Sequence, residues 1–520
     1  MKELIFILTN SQGSHTLENS PDGWDEGLVQ WERSDKYWGV FRSFTFSLKF
    51  VKDGAYYLRQ EFYTYGVNSF SSIEIKRLNK VTLSYYTAYV GEVDFGTFKD
   101  NDKSVDVNLL DSGLSKLIKD NASTEYDVSP EEWNYVPPDP GYVPFYVVGG
   151  SDEYGGVNIS SLIYRLLDEI TDGGMTAGTY GFQSTLLADV EVGTATYPVI
   201  ICKGQTFRQA GQTPGGMFKT SLEDTFKSLV PWLGCKAGVE WVDGIETFVI
   251  EPTSHFFLAN KPVIELGDVK NINITLNGKM TFGSLKVGFP EKEYDNYSLE
   301  IEPVSNSNWK PMANVSSVEL DLISKFRADG TGIKDLIINQ TDAADDDIFF
   351  VQLRWEENLS RWEIYENDDA QFTGVAGTWK VINGRMTPRR CLLANQDWIN
   401  SCLWDGDGTN LVYTSGKNRL YDIEVQTPPP FTYVKERDDI ALSTPTIVLP
   451  LTIDFETPLP GDMIDLLNNN YNELISFVYK GVTFTGYVMQ VKAKLAGRTS
   501  QKITLLLSAS NIANLSTLER

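Results

Sequence analysis

Residues 21–66 constrain the fold of this chain most, because two hydrophobic periodicities follow each other there without a break. Phe44, Phe46, Leu48 and Phe50 occupy every second position, which predicts a strand with one buried face. After residues 53–54 the apolar residues recur at spacings of three and four, which predicts a helix that ends at Gly66. The residues on its predicted inner face are Ala55, Leu58, Phe62 and Tyr65. The stretch is typical of a packed strand and helix module.

Length and composition indicate a multidomain globular protein. A chain of 520 residues is expected to hold about three to four domains of roughly 100–200 residues each. Its longest apolar runs fall well short of the roughly 18 residues that a membrane span needs. The run at residues 4–8 is short and lacks a cleavage site, so it predicts a first strand and synthesis in the cytoplasm. The four cysteines, which are scattered, are interpreted as free thiols in the core: Cys202, Cys235, Cys391 and Cys402.

The net charge of −25 argues against stable nucleic-acid binding, because an acidic surface repels phosphate backbones. No basic run is present, and residues 389–390 are the nearest approach to one. Excess acid favours solubility. It is also compatible with an acidic wall past which nucleic acid slides without sticking.

The order of predicted elements indicates an α+β, β-rich chain, built of several small domains of antiparallel strands with a few short helices and without a doubly wound parallel sheet. The predicted domains are a strand-helix-strand unit at 1–135, an α+β unit at 145–300, a β-rich unit at 301–430 and a small β unit at 431–520. Proline-rich stretches at 136–144 and 427–430 are interpreted as linkers.

Several local elements have clear signatures. A helix is predicted over 158–174, capped by Ser160 or Ser161, and another over about 220–232, where Thr220 and Glu223 have capping-box spacing. A third is predicted over about 388–402. Two-residue turns at 243–244 and 480–481 predict hairpins, because Asp-Gly and Lys-Gly pairs place a glycine where a positive φ is needed.

Motifs for catalysis or metal binding are scarce. The only histidines are His15 and His255, so few side chains are available for a zinc site or for a nucleophile–histidine pair. No phosphate loop, dinucleotide-binding or hydrolase motif is present. Asp405 and Asp407 begin a segment like a calcium loop, but its sixth position is Asn410 and its twelfth is Gly416. That segment therefore favours a hairpin loop, and the acidic run 345–347 favours a solvated turn. No cofactor is expected.

Carbohydrate chemistry stays open at this stage. With 70 acidic residues, a carboxylate pair for glycoside hydrolysis is possible, and only geometry would identify it. The 12 Trp and 25 Tyr offer material for a sugar platform. Most of these aromatic residues lie in alternating patterns that explain them as core or interface residues.

The opening pattern PDGWDE…VQWERSDKYWGVFRSFTFSLKFVKDGAYYLRQEFYTYG, within residues 21–66, resembles the N-terminal signature of tail hub proteins of crAss-like and related phages of Bacteroidota. Residues 217–252, 384–404 and 481–492 are similar to later landmarks of the same family. The resemblance covers most of the chain and carries no catalytic residues. It implies a non-enzymatic, structural protein of the virion tail, assembled in the host cytoplasm.

A tail hub is an oligomeric ring that joins portal-proximal rings to distal parts of the tail and lets DNA pass through its lumen during ejection. The resemblance thus implies a homo-oligomer with other tail proteins as partners, and an acidic lumen is compatible with the net charge. The aromatic residues expected at domain and subunit interfaces are Trp24, Trp31, Trp38, Phe41, Phe44 and Phe46. The alternatives are a carbohydrate-binding host-recognition protein of the tail and a glycan-degrading virion enzyme.

Overall fold

Strands from both ends of the chain share one large sheet in the computed structural model of this protein. The structure describes residues 4–516, apart from 79–82, 112, 129–141, 149, 188–197, 209–217, 259–263, 291–305, 312–316, 341, 368–369, 373–380, 385, 404–409, 415–422, 426–433, 436–438, 460–466, 468–469 and 495–499. The predicted calcium-like loop at Asp405 and Asp407 and the proline run at 427–430 lie outside the described residues.

The described strands are numerous, as the alternating sequence pattern predicts, and the longest, β6, has 16 residues. Those of the first half are β1 (Leu4–Asn10), β2 (Gly13–Thr16), β3 (Leu28–Arg33), β4 (Val40–Val51), β5 (Ser71–Leu78), β6 (Tyr85–Asp100), β7 (Ser104–Asp111), β8 (Tyr126–Asp127), β9 (Tyr142–Tyr146), β10 (Glu153–Asn158), β11 (Tyr180–Gln183), β12 (Val199–Lys203), β13 (Lys219–Thr220), β14 (Cys235–Val242), β15 (Ile245–Pro252), β16 (Ile264–Asp268) and β17 (Lys270–Leu276). Those of the second half are β18 (Ser284–Gly288), β19 (Asn306–Pro311), β20 (Glu319–Ile323), β21 (Ile348–Glu356), β22 (Arg361–Ile364), β23 (Glu366–Asn367), β24 (Ala370–Phe372), β25 (Val381–Ile382), β26 (Asn410–Thr414), β27 (Ile423–Val425), β28 (Val434–Lys435), β29 (Ile440–Leu442), β30 (Val448–Pro458), β31 (Ile475–Tyr479), β32 (Val482–Lys494) and β33 (Ser500–Ser508).

The described helices are few and mostly short. They are α1 (Lys52–Tyr65), α2 (Leu114–Asn121), α3 (Ile159–Ile170), α4 (Gly204–Arg208), α5 (Leu222–Leu233), α6 (Thr253–Phe256), α7 (Gly330–Asn339), α8 (Pro388–Ala394), α9 (Gln396–Cys402) and α10 (Ile512–Ser516). The fold is thus β-rich with several antiparallel sheets, which confirms the predicted class. No helix within the described ranges combines the length and the apolar character that crossing a bilayer requires.

The large sheet contains the same arrangement of strands twice. In the first sheet unit, defined as β3 to β7 with α1, the neighbours run in the order β3-β4-β7-β6-β5. In the second sheet unit, defined as β17 and β30 to β33, they run β17-β30-β33-β32-β31. In both units, helical residues follow the second strand in the chain. In the first unit α1 follows β4, and in the second unit the helical residues Leu467 and Asn470 follow β30. The flanking strands differ, since β1 is antiparallel to β5 while β16 is parallel to β31.

The two sheet units are joined edge to edge by β3. One edge of β3 pairs with β4 and the other with β32, so Trp31 lies opposite both Arg42 and Val491. One face of the combined sheet packs into a single hydrophobic core that includes residues from both units. The other face carries exposed polar residues, as the alternation along each strand dictates.

The central region holds the remaining sheets. Strands β10, β12, β21, β22 and β9 close a small barrel. Its strand β9 includes part of the predicted linker 136–144. Pro144 lies opposite Gly155, and β9 meets β22 only at Tyr146, so a residue without an amide hydrogen is tolerated there. A second core joins the helices α2, α3, α5, α8 and α9 to the β14–β15 hairpin.

Helix boundaries differ from the predictions in ways that specific side chains explain. Asn158 caps α3 by accepting from the amide of Ser160 at 2.8 Å, so the prediction of a serine cap is wrong. Ser221 rather than Thr220 caps α5. The single helix predicted over 388–402 is two helices that meet at Asn395, whose side-chain Nδ2 donates to the carbonyl of Pro231 at 2.8 Å.

Turns and thiols follow the predictions more closely. Asp243 and Gly244 both have positive φ in the β14–β15 hairpin, as do Lys480 and Gly481 in the β31–β32 hairpin, which confirms both predicted turns. All four cysteines are free and buried, as predicted.

Candidate functional site

The most distinctive segment of the sequence, residues 21–66, forms a junction between the first sheet unit, the second sheet unit and the central region. The loop between β3 and β4, residues 34–39 and called the junction loop below, lies against β14. The amide of Gly39 donates to the carbonyl of Ala237 at 2.9 Å, and the amide of Ala237 donates to the carbonyl of Tyr37 at 2.8 Å. A Cβ atom at Gly39 would lie 2.2 Å from the oxygen of Ala237, so only glycine permits this approach.

Trp38 anchors the junction loop in the central core. It has a φ of 61°, a left-handed conformation that aromatic residues rarely adopt, and it is 9% exposed. Its ring lies 4.2 Å from the ring of Trp398 on α9, between centroids. Tyr37 packs 4.9 Å from Phe226 on α5, and burial is the main cause that raises its pKa well above the usual range. The loop is therefore held in a strained shape by contacts to two helices.

Arg33 fixes the same junction from the sheet side. Its guanidinium donates to the carbonyls of Val488 at 2.8 Å, Trp38 at 2.6 Å and Phe256 at 3.2 Å, and it lies 4.4 Å above the ring of Phe257. These acceptors are all main-chain carbonyls, no carboxylate among the described residues pairs with it, and burial lowers its pKa to about 9. The side chain thus ties β3, β32 and the central region together through main-chain acceptors.

A second buried cation, Lys236, lies beside the junction loop. Its Nζ is 4.6 Å from the ring centroid of Trp398, and burial lowers its pKa to about 8. Burial also raises the pKa of the neighbouring thiols of Cys235 and Cys402 to about 12. These thiols are therefore protonated at neutral pH and poor nucleophiles.

The aromatic residues predicted at interfaces fall into two groups. Trp31, Trp38 and Phe41 are 0%, 9% and 7% exposed and pack within the chain, where Trp38 and Phe41 belong to the central core and Trp31 to the core of the sheet units. Trp24 and Phe44 are half-buried against the core of the sheet units. Phe46 lies in β4, and its side chain is outside the described part. A role of these residues in contacts between subunits stays a prediction.

An exposed aromatic surface on α1 was missed by sequence reasoning. Tyr56 and Tyr63 are 54% and 69% exposed, and Tyr65, predicted to face inward, is 47% exposed. Arg59 makes two bonds to Asp100, at 2.9 and 2.7 Å, and Tyr63 donates to the same carboxylate at 3.0 Å. The signal was available, because positions 56, 59, 60 and 63 share one helix face.

The acidic run 345–347, considered above as a metal site, is engaged in ion pairs. Asp345 pairs with Arg208, Asp346 with Lys203 at 3.0 Å, and Asp347 with Arg327 at 2.6 Å. Among the residues that the structure describes, no three potential metal-ligating side chains come together. His255 bonds to Glu240 at 2.9 Å, and this bond raises its pKa, while His15 stacks on Tyr57.

One carboxylate has the raised pKa that a general acid needs. Burial raises the pKa of Asp111 to about 6, and the nearby charge of Glu246 adds to that shift. Both carboxylates are already engaged: Asp111 accepts from the amides of Phe44 and Gly113, each at 3.0 Å, and Glu246 accepts from Arg42 at 2.9 Å and from the amide of Leu114 at 2.7 Å. Their arrangement is that of a helix cap and a structural link between β4, α2 and β15.

Comparison with known proteins gives similarity to tail proteins. No protein-family model matches the chain, and no curated protein matches it. A prophage tail protein from Listeria monocytogenes EGD-e is 8% identical with a TM-score of 0.36, over 99% of this chain and 98% of its own. A tail protein from Neisseria meningitidis MC58 is 7% identical with a TM-score of 0.37, over 98% of both chains. A 43 kDa prophage tail protein from Shewanella oneidensis is 9% identical with a TM-score of 0.35, over 97% of this chain and 98% of its own. At these identities and TM-scores the likeness does not by itself assign a function.

Proposed function

We propose that this chain is a non-enzymatic structural protein of a phage tail, and that it acts as the tail hub. In this role several copies form a ring around the DNA channel and connect portal-proximal rings to distal tail parts in the virion. The N-terminal signature at residues 21–66 supports the family, and the two sheet units support the ring.

The observation that carries the proposal is the repeated sheet unit. Two units with the same strand order lie side by side in one sheet, joined through β3 and β32. An edge-to-edge contact of this kind is heterologous, because different surfaces meet. When a heterologous contact repeats with a rotation that closes, it generates a ring. Each chain would supply two neighbouring segments of the wall.

The polar face of the sheet is suited to line a channel. Residues directly opposite on paired strands share a face, and the first unit places Lys49 opposite Asp106 and Asp106 opposite Lys99. In the second unit the corresponding row is Lys270, Glu456, Lys502 and Lys492. With this face toward the lumen, the wall carries both signs of charge. Such a wall would let a duplex pass without binding it, although it would repel DNA less than the acidic wall that the net charge suggests.

The mass of the purified protein in solution tests the proposal. Light scattering after size exclusion should give a closed multiple of the 58.4 kDa chain, either for the protein alone or after mixing with its neighbouring tail proteins. Imaging of that particle should show a central channel. A chain that stays monomeric in both preparations would refute the hub assignment.

The exposed tyrosines favour one second candidate, a carbohydrate-binding protein of the tail. Tyr56 and Tyr63 stand beside Arg59 and Asp100, and sugar sites combine aromatic rings with charged hydrogen-bonding groups. A glycan panel separates the two functions. Binding of a specific glycan that is lost in Tyr63→Ala, by a protein that forms no ring, would establish receptor recognition instead.

A further inference from the structure

A cavity opens between the junction loop and α2. Within the described part of the chain its volume is about 320 Å³, which lies in the range of cavities that bind ligands. The junction loop contributes residues 34–37 to its lining, and α2 with the two residues after it contributes Ile118, Lys119, Ala122 and Ser123. Further lining residues come from β3, β4 and α5. The cavity therefore lies where the first sheet unit meets the central region.

Part of this lining is apolar. Phe41, Ile118 and Ala122 are buried and belong to the central core. Tyr37 of the junction loop joins them, with its ring packed on that of Phe226. An apolar side chain placed against this lining would be removed from water, and such removal is favourable. The cavity is thus suited to a ligand with an apolar part.

Two lysines line the same cavity while most of each side chain stays in water. Lys36 comes from the junction loop and Lys119 from α2, and their side chains are 60% and 58% exposed. The Nζ of Lys36 lies 2.7 Å from a carboxylate oxygen of Glu223, and the Nζ of Lys119 lies 3.2 Å from one of Glu32. Because the two lysines belong to different elements, both can reach an anion held between the loop and α2.

The carboxylates of the lining have other partners besides these lysines. Glu223 also pairs with Lys227, at 2.6 Å through its other oxygen. Glu32 also accepts from the side chain of Gln30, at 3.1 Å. Ion pairs between exposed side chains contribute little to stability. Lys36 and Lys119 can therefore turn to a ligand at small cost, without leaving either carboxylate unpartnered.

Tyr37 offers a third donor at the cavity. The residue is 5% exposed, and its hydroxyl has no hydrogen-bond partner among the described residues. Buried hydroxyl groups usually have such a partner. Burial and the nearby charge of Glu223 raise the pKa of Tyr37 well above its usual range, so the hydroxyl keeps its proton and stays a donor. Since Glu223 lines the same cavity, this hydroxyl lies near the lysines.

We propose that this cavity binds an acidic peptide segment of a partner protein. The segment inserts an apolar side chain against Phe41 and Ile118, and its carboxylates lie beside Lys36 and Lys119. The hydroxyl of Tyr37 donates to an oxygen of the same segment. Charge complementarity selects this ligand, because a basic segment would place its own charges beside the two exposed ammonium groups. The inference adds a partner site to the proposed function and does not depend on the formation of a ring.

A labelled peptide tests the chemistry of the site. The probe is a short fluorescein-labelled peptide in which glutamates flank a single leucine, and its fluorescence polarisation is followed as the full-length chain is added. We expect saturable binding. Two matched peptides, one with serine in place of the leucine and one with glutamine in place of the glutamates, should each bind at least tenfold more weakly.

Substitutions in the chain test the location of the site. Lys36→Gln/Lys119→Gln should weaken binding of the probe at least tenfold, because charge-assisted hydrogen bonds are the strong ones. The matched control is Lys116→Gln/Lys103→Gln, which changes the net charge by the same amount. Lys116 pairs with Asp120 on α2, Lys103 is exposed in the turn between β6 and β7, and neither lines the cavity. The control should bind the probe as the wild type does.

Tyr37→Phe removes only the hydroxyl and keeps the ring that packs on Phe226. It should weaken binding of the probe by a smaller factor than the lysine pair does. Urea denaturation of each variant establishes that it is folded. Because the hydroxyl of Tyr37 has no partner among the described residues, this variant should unfold at the same urea concentration as the wild type or at a higher one.

The other outcomes would overturn the inference. Lack of binding by the wild type, or equal binding by Lys36→Gln/Lys119→Gln, would show that the cavity is not the site. Equal binding of the glutamine peptide would show an apolar site without the inferred preference for acidic segments. Self-association that the probe competes with and the lysine variant loses would identify a second copy of the chain as the occupant instead of a partner protein. The mass measurement of the proposed ring is separate, so either claim can fail alone.

Discussion

Arg33 at the joint of the sheet units and Arg327 beside the central barrel are buried in nearly the same way. They are 2% and 5% exposed, and their guanidinium carbons lie 4.4 and 4.6 Å above the rings of Phe257 and Phe349. Their acceptors differ. Arg327 bonds to the carboxylates of Asp329 and Asp347, whereas Arg33 bonds to three main-chain carbonyls.

The two arginines differ in where their acceptors come from. Arg327 makes ion pairs within one region, whereas the acceptors of Arg33 come from separate regions of the chain. Asp329 lies two residues from Arg327, and Asp347 directly precedes the adjoining strand β21, so that cluster can form when the barrel region folds. The carbonyls around Arg33 belong to residues 38, 256 and 488, which meet only when the sheet units and the central region have come together. Arg33 therefore favours one arrangement of the three parts, at the cost of burying a charge that has no counter-ion among the described residues.

The largest expected effect is at the barrel. Arg327→Met leaves Asp329 buried without its cation, and removal of one partner of a buried pair typically costs about 3–5 kcal/mol of unfolding free energy. Urea denaturation should show this loss. The double variant Arg327→Met/Asp329→Asn should recover part of the stability, because it removes the uncompensated charge. A double variant as unstable as the single one would contradict the ion-pair account.

Arg33→Met sharpens the comparison and should cost less. It leaves neutral carbonyls rather than carboxylates, and it removes the desolvation cost of the cation, so we expect a loss of about 1–3 kcal/mol. The same variant should weaken the docking of the sheet units, which limited proteolysis near the junction loop would detect. The matched control, Arg208→Met, removes a surface pair with Asp345 and should leave the unfolding free energy nearly unchanged, because solvent screens such pairs. A loss at Arg33 as large as that at Arg327 would show that carbonyls hold the cation as strongly as carboxylates do.

Neither arginine was identified from the sequence. Arg33 occupies a strand position and Arg327 a loop, and arginine is usually exposed at both. The periodicity of residues 44–65 predicts β4 and α1 because the apolar spacing there is determined by local geometry. The pairing of β3 with β32 joins residues that are far apart in the sequence, and no local pattern encodes it. The predicted fold class is therefore confirmed, while the single sheet that unites both ends was not anticipated.

Sequence reasoning located the important segment better than it located its contacts. The residues of the junction loop and its flanking strands stood out by aromatic density, and Trp31, Trp38 and Phe41 lie where parts of the chain meet. The helical spacing placed Tyr56 and Tyr63 off the predicted inner face, so their exposure could have been inferred, whereas the bond from Tyr63 to Asp100 on β6 joins residues that no local pattern links.

Lys236 is another buried cation and allows a test by pH. Its pKa is lowered from 10.5 to about 8 by burial, so between these values the unfolded chain binds more protons than the folded one. The unfolding free energy of the wild type should then rise with pH from about 8 towards 10.5, and below 8 the full cost of burying the ammonium is present. Lys236→Met removes that cost and should stabilise the protein at pH 7 by up to about 2 kcal/mol, since one pKa unit corresponds to about 1.4 kcal/mol and the contact with Trp398 offsets part of the penalty.

The measurement is urea denaturation of the wild type and Lys236→Met at pH 7, 8 and 9, with Lys227→Met as control, because Lys227 is on the surface and paired with Glu223. The gain in unfolding free energy of Lys236→Met over the wild type should shrink as the pH rises, because the wild-type amine loses its proton. The neighbouring thiols of Cys235 and Cys402 stay protonated over this range and do not contribute to the change. An advantage that is the same at all three pH values would mean that the packing of methionine, rather than the buried charge, determines the change. If Lys236→Met is less stable than the wild type, the contacts of Lys236 in the junction stabilise the fold by more than the burial of its charge costs. Lys236 would then resemble Arg33.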